Sequence, residues 1–156
     1  MFSPLGCVIP VGPDFRDPDK VENLPPFFTG SEPYFETMRT APQTFTVKVR
    51  DRNPLDKLYV RWVSDYPEYQ EAFSRILYED NKNGVTLGEG DTPIGYGPIP
   101  ANCADFRGQM ATHRLVVIIA DRPFLKPEEA PNTLLPFNAA TLNAQPIMAG
   151  WTVTCQ

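Results

Sequence analysis

The side chains able to do chemistry are few: three cysteines, one histidine, and carboxylates and tyrosines spread along 156 residues. Cys103 and Cys155 could pair in an oxidising compartment. Such a bond would close a loop of about 50 residues and stabilise the fold by roughly 3–4 kcal/mol on the chain-entropy view. It would hold the last strand, since Cys155 is next to last, and would tie down the irregular stretch 88–108. Two separate thiols are the alternative, with Cys155 a small core hydrophobe and Cys103 exposed in a loop. No two cysteines are close in sequence, so neither a CxxC redox pair nor a zinc ribbon is indicated. The odd count leaves Cys7 for another task.

His113 would serve a Ser-His-Asp arrangement only from an exposed rim beside a nucleophile. It sits between Thr112 and Arg114 at the start of a strand-like run, and no Gly-x-Ser-x-Gly elbow accompanies it. A surface or capping histidine is expected, and no catalytic residue is assigned. Asp51, Asp56, Asp65 and Asp121 lie near strand ends. Stacked together, they and nearby carbonyls would offer Ca²⁺ the six to eight oxygens it takes. Solvated turn acids are the alternative, because no Asp-x-Asp run is present and the EDNKNG turn lacks EF-hand spacing. No other cofactor is implied. Tyr59, Tyr66, Tyr69 and Tyr96 could line a sugar- or peptide-binding face, with Tyr78, Trp62 and Trp151 beside them, since such rings join contact area to a polar handle. Core and edge packing would use the same residues.

Strands must position these groups. Residues 44–65, TFTVKVRDRNPLDKLYVRWVSD, read as a hairpin. Phe45, Val47 and Val49 alternate with polar residues, Asp51 to Asp56 break the pattern, and Leu58, Val60 and Trp62 share a face on the return. A hairpin with a buried Trp is a nucleus for a β-sandwich. A short edge strand is expected within 29–42, around Tyr34 and Phe35, because Pro is tolerated at edges. Another strand is expected near 75–78, a turn at Asn83-Gly84, and a short strand at 85–87 pairing back. The stretch 88–108 has little periodicity, as functional or tethered loops often do, with an irregular edge at 92–100. Residues 112–120, THRLVVIIA, are apolar on both faces and should form a central strand. Residues 149–155 alternate again and close the chain.

Composition narrows the class. Eighteen prolines and ten glycines in 156 residues stay below the roughly 25–30% that signals a low-complexity chain, so one loop-rich all-β domain is expected. A net charge of −5 without a Lys/Arg cluster argues against nucleic acid as a partner. No apolar run approaches the ~18 residues of a membrane-spanning helix. Residues 13–26 are rich in Pro and charge and read as a tether, which divides the chain into an N-terminal arm at 1–26 and a folded domain at 27–156.

Leu5-Gly6-Cys7 resembles the end of a bacterial lipoprotein signal peptide, with residues 1–6 as its remnant and Cys7 as the lipidated residue. Pro4 departs from that pattern, as an aliphatic residue is usual there. With the proline-rich arm, FTVKVRDRNPLDKLYVRWVSDYP, HRLVVIIADRPF and the terminal WTVTC, the chain resembles small secreted lipoproteins of myxobacteria and related deltaproteobacteria. The resemblance implies one immunoglobulin-like or cadherin-like β-sandwich with long Pro/Gly-rich loops, held at the outer membrane or in the periplasm, and no enzymatic activity. The function expected is a structural, adhesion or accessory module that binds a protein partner of the envelope. A carbohydrate- or ligand-binding module is the alternative.

Overall fold

Period-two alternation builds most of the sheets seen in the computed structural model, which describes residues 24–53, 56–66, 75–86, 94–107, 111–126 and 144–155, with backbone alone at 81–86 and 94. In chain order the strands are β1 (Phe27–Glu32), β2 (Met38–Thr40), β3 (Gln43–Arg50), β4 (Lys57–Ser64), β5 (Arg75–Thr86), β6 (Ile94–Ala101), β7 (Thr112–Ala120) and β8 (Ile147–Thr154), with a 3-10 turn at Cys103–Asp105. They form two packed sheets, ordered β1-β3-β6 and β2-β8-β7-β4-β5. The protein is an all-β sandwich. Neighbouring strands are antiparallel, except that β2 runs parallel to β8, with Met38 opposite Thr152.

The core explains the one large departure from the expected connectivity. Residues 44–65 do not form a hairpin, because β3 pairs with β1 and β6 whereas β4 pairs with β5 and β7. Phe45, Val47 and Val49 of β3 are fully buried in one cluster with Leu58, Val60 and Trp62 of β4. Two strands whose apolar faces look at each other must lie in opposite sheets, since hairpin partners lie side by side in one sheet and face the same way. The connection from β3 to β4 therefore passes from one layer to the other. Trp151 of β8 sits at the centre of this core. Its ring stacks on Trp62 at 5.7 Å and 6°, and lies 4.9 Å from Phe45 and 5.1 Å from Phe35. Its indole N–H donates to Pro33 O at 2.9 Å.

The central strand is where sequence placed it: β7 lies between β8 and β4. Leu115, Val117 and Ile119 join the inter-sheet core. Val116, Ile118 and Ala120 pack on the outer side of the same sheet with Tyr59, Val63, Tyr66 and Phe124. Arg61 also points to that outer layer and is 1% exposed. Glu79 at 3.1 Å, Leu125 O at 2.9 Å and the Phe124 ring at 4.5 Å hold its guanidinium.

Two edge elements differ from expectation. The short edge strand expected within 29–42 is present as β2, Met38–Thr40, and β1 overlaps the same span, but Tyr34 lies in the connection between them and not in a strand. Residues 85–86 belong to the same element as Arg75 and do not form a separate strand, although the β4 register jumps there from Asp80 opposite Val60 to Val85 opposite Leu58. The Asn83-Gly84 signal thus marks a large irregularity within one edge strand. In β6, Gly97 has φ +116°, and a Cβ there would meet Phe45 O at 2.6 Å, so a residue without a side chain lets β6 close on β3.

Candidate functional site

One end of the sandwich is locked. Cys103 and Cys155 form a disulfide with their Cα atoms 5.6 Å apart. The bond joins the turn after β6 of one sheet to the end of β8 in the other. His113 lies at this end and is 4% exposed, not the surface histidine expected. Its Nδ1 donates to Asp65 Oδ1 at 2.8 Å, and the Phe106 ring stacks on it at 4.8 Å. Asp65 takes φ +55°, a conformation Asp tolerates better than most residues. Its Oδ2 accepts the Arg107 N–H at 2.8 Å, and its own N–H donates to Arg114 O at 2.6 Å. A histidine held this way on β7 aligns that strand with the exit of β4. Sequence could have signalled the pair, since Asp65 and His113 each stand at the end of a strongly patterned strand.

The four aspartates do not meet. Asp56 and Asp65 flank β4 at opposite ends, separated by an eight-residue strand, or roughly 26 Å at 3.3 Å per residue. Asp51, Asp56 and Asp121 share the far end. There Arg122 Nη1 lies 3.5 Å from Asp56 Oδ1 and 3.9 Å from Asp121 Oδ2, so a side-chain cation already stands between two of the carboxylates. Among the described residues no three His, Cys, Asp or Glu side chains are grouped to hold a metal ion.

Asp51 is the member of this trio whose titration is shifted. Burial raises its pKa above the ordinary 3.8, and the charges of Asp56 and Asp121 push the same way, against the Asn53 N–H that donates to its Oδ1 at 2.8 Å. Its Oδ2 is buried without a partner among the described residues. A carboxyl raised on folding binds protons more tightly in the native state, so its contribution to stability declines as pH rises through 3.8 and above. Asp51→Asn keeps the acceptor for Asn53 and removes the charge. It is expected to raise the melting temperature at pH 7, with the gain vanishing below pH 3.8; thermal melts across pH 3–8 check this.

The tyrosines do not form an exposed platform. Tyr59, Tyr66 and Tyr96 are 9%, 2% and 7% exposed, and Tyr96 donates its hydroxyl to Leu58 O at 3.2 Å inside the core. Burial raises the pKa of Tyr66, and burial with nearby Asp80 and Tyr78 raises that of Tyr96. Amphipathic rings serve a loop-rich core as well as they serve a surface. Cys7 and Tyr69 lie outside the described residues.

Accessible chemistry lies instead on the two open sides of the sandwich. On one side a groove of about 300 Å³ runs between β5 and β6, lined by Arg75, Leu77, Tyr78, Ile99, Pro100, Asn102 and Asp105. Tyr78 is 44% exposed there. On the other side, where β1 and β2 are the sheet edges, Ser31, Glu32, Pro33, Tyr34, Arg39 and Gln43 line a cavity of about 540 Å³. A neighbouring one of about 320 Å³ shares Ser31, Glu32 and Tyr34 and reaches Thr46 and Lys48. Sequence gave no sign of this second region, because the β2–β8 pairing brings Arg39 beside Val153 from across the chain.

Fold and surface together define a two-layer β-sandwich, cross-linked at one end, with cavities on its two open sides. The chain matches no protein-family model, no curated protein and no solved structure.

Proposed function

We propose that the protein is a non-enzymatic, immunoglobulin-like module of the bacterial cell envelope, which engages a protein partner along the outer edge of β5. The observation that carries this is the length of β5 among the four sheet edges. A β-bulge interrupts the β1 register near Thr29, β2 is three residues long, and β6 carries Pro98 and Pro100. Each is a device that blunts strand addition. β5 spans twelve residues, the longest of the four even with its two register shifts against β4; among the described residues it pairs with β4 only, and it opens beside a groove formed with β6 in which Leu77, Tyr78 and Ile99 lie among Arg75, Asn102 and Asp105. A partner strand would gain main-chain hydrogen bonds from β5 and place alternate side chains over Leu77, Tyr78 and Ile99. The burial of His113, with its Nδ1 on Asp65 and one ring face on Phe106, gives it a role in holding β7 against the exit of β4, in keeping with a binding module.

Envelope placement rests on Leu5-Gly6-Cys7 as an acylation site and on the disulfide, which suits an oxidising compartment. A photo-crosslinking amino acid at position 78, in the producing cell, is expected to capture one protein stoichiometrically, and the adduct's intact mass to include an acyl group on Cys7. Equal capture from position 52, an exposed site beyond β3, or none from position 78, would overturn the edge reading. The alternative of a ligand-binding module draws support from the cavities beside β1 and β2.

A further inference from the structure

We propose that the double cavity at the β1–β2 side binds an acidic saccharide, with a uronic-acid carboxylate on Arg39 and a sugar ring against Tyr34. The inference deepens the ligand-binding alternative and is independent of the β5 edge.

Three observations converge on it. Arg39 Nε and Ser31 Oγ are both buried, line the same cavity, and find no partner among the described residues. A buried donor without a protein acceptor is a place where a ligand that supplies acceptors gains affinity. The Tyr34 side chain is exposed at 78%, the most exposed large hydrophobic group described, and it borders both cavities. An aromatic ring on the rim of a polar hollow offers a surface to the C–H face of a sugar while its hydroxyl stays wet. The charges are arranged in a sequence rather than as one patch: Arg39 in the larger cavity, Lys48 in the smaller, and Glu32 common to both.

That arrangement selects the ligand. A bare anion would meet Glu32 wherever it sat. A ligand carrying hydroxyls beside its carboxylate can donate to Glu32 and accept from Arg39, whose planar fork takes a carboxylate through two N–H groups. Ser31 and the Gln43 side chain, whose Nε2 already donates to Thr44 O, leave further acceptors and a hydroxyl donor for the ring substituents. Volumes of about 540 and 320 Å³ fall in or near the range of small-molecule sites, about 300–1,000 Å³, and suit adjacent residues of one oligosaccharide.

The test titrates the full chain with tetramers of glucuronate, galacturonate and mannuronate, the methyl ester of each, and acetate, followed by calorimetry and by shifts of the Arg39 and Tyr34 resonances. At least one tetrauronate is expected to bind at least tenfold more tightly than its methyl ester. Arg39→Gln, which removes a buried Nε that has no acceptor among the described residues, and Tyr34→Ala, which removes an exposed ring, should each weaken that binding at least tenfold without lowering the melting temperature. The proposal is overturned if no tetrauronate binds, if both variants bind like the parent, or if acetate competes as well as the oligomer, which would mark a plain carboxylate site. Loss of crosslinking at position 78 would leave these outcomes unchanged, so the two readings fail separately.

Discussion

Trp151→Ala is expected to lower the unfolding free energy by about 3–5 kcal/mol, the usual cost of emptying an aromatic core position. For a domain whose whole stability lies near 5–15 kcal/mol, that leaves a protein on the edge of folding. The residue is fully buried, and its ring touches Trp62, Phe45 and Phe35. Truncation therefore opens a void shared by both sheets, and neighbouring rings are too rigid to collapse into it. Trp151→Phe separates the packing loss from the polar one. It keeps an aromatic ring but orphans Pro33 O, which now accepts the indole N–H at 2.9 Å. The indole N–H of Trp62, by contrast, is buried with no partner among the described residues. Trp62→Phe removes an unpaired donor and should cost less than Trp151→Phe. Urea melts of the three variants check the order; a Trp151→Ala protein within 1 kcal/mol of the parent would show that the two layers are not held at this point.

The second large effect belongs to Asp65. Asp65→Ala should lose about 3–5 kcal/mol, as expected when one member of a buried charged or hydrogen-bonded pair is removed. Two donors lose their acceptor at once, His113 Nδ1 and the Arg107 N–H. Alanine must also adopt φ +55°, which costs about 1–2 kcal/mol where Asp and Asn are tolerant. Asp65→Asn keeps one acceptor oxygen and the backbone tolerance, so it should fall between the parent and the alanine variant. Denaturant unfolding of all three gives the ranking. Equal losses in the asparagine and alanine variants would assign the whole effect to the missing charge and none to the backbone.

Sequence disclosed which faces are buried far better than which strands meet. The alternation of Phe45, Val47 and Val49 and of Leu58, Val60 and Trp62 identified both inner faces, and all six residues are fully buried. Period two says nothing about the neighbour across the hydrogen bonds, and a six-residue connection can close a hairpin or cross between sheets. The double-sided apolar run at Leu115 to Ala120 did specify a central position, because only a strand covered on both faces can carry it. The Cys103–Cys155 bond was legible only on the premise of an oxidising compartment and of another task for Cys7, since cysteine number and spacing alone leave the pairing open. The grouping of Asp56 with Asp65 in one calcium set overlooked a signal already in the sequence, since the two flank a single strand. The Arg39 cavity was not legible, because Arg39 is one of fourteen basic residues and its setting depends on a parallel pairing with the far end of the chain.

The cross-link between Cys103 and Cys155 has a mechanical corollary. When the domain is pulled by its two ends, tension entering along the chain reaches Cys103 and passes through the sulfur atoms to Cys155. The intervening loop, which holds β7 and β8, carries no load through its backbone. A separation of 52 residues removes about 170–190 Å from the length the chain can reach when stretched. The middle of the five-stranded layer is thereby shielded from traction, and the strands ahead of Cys103 yield first.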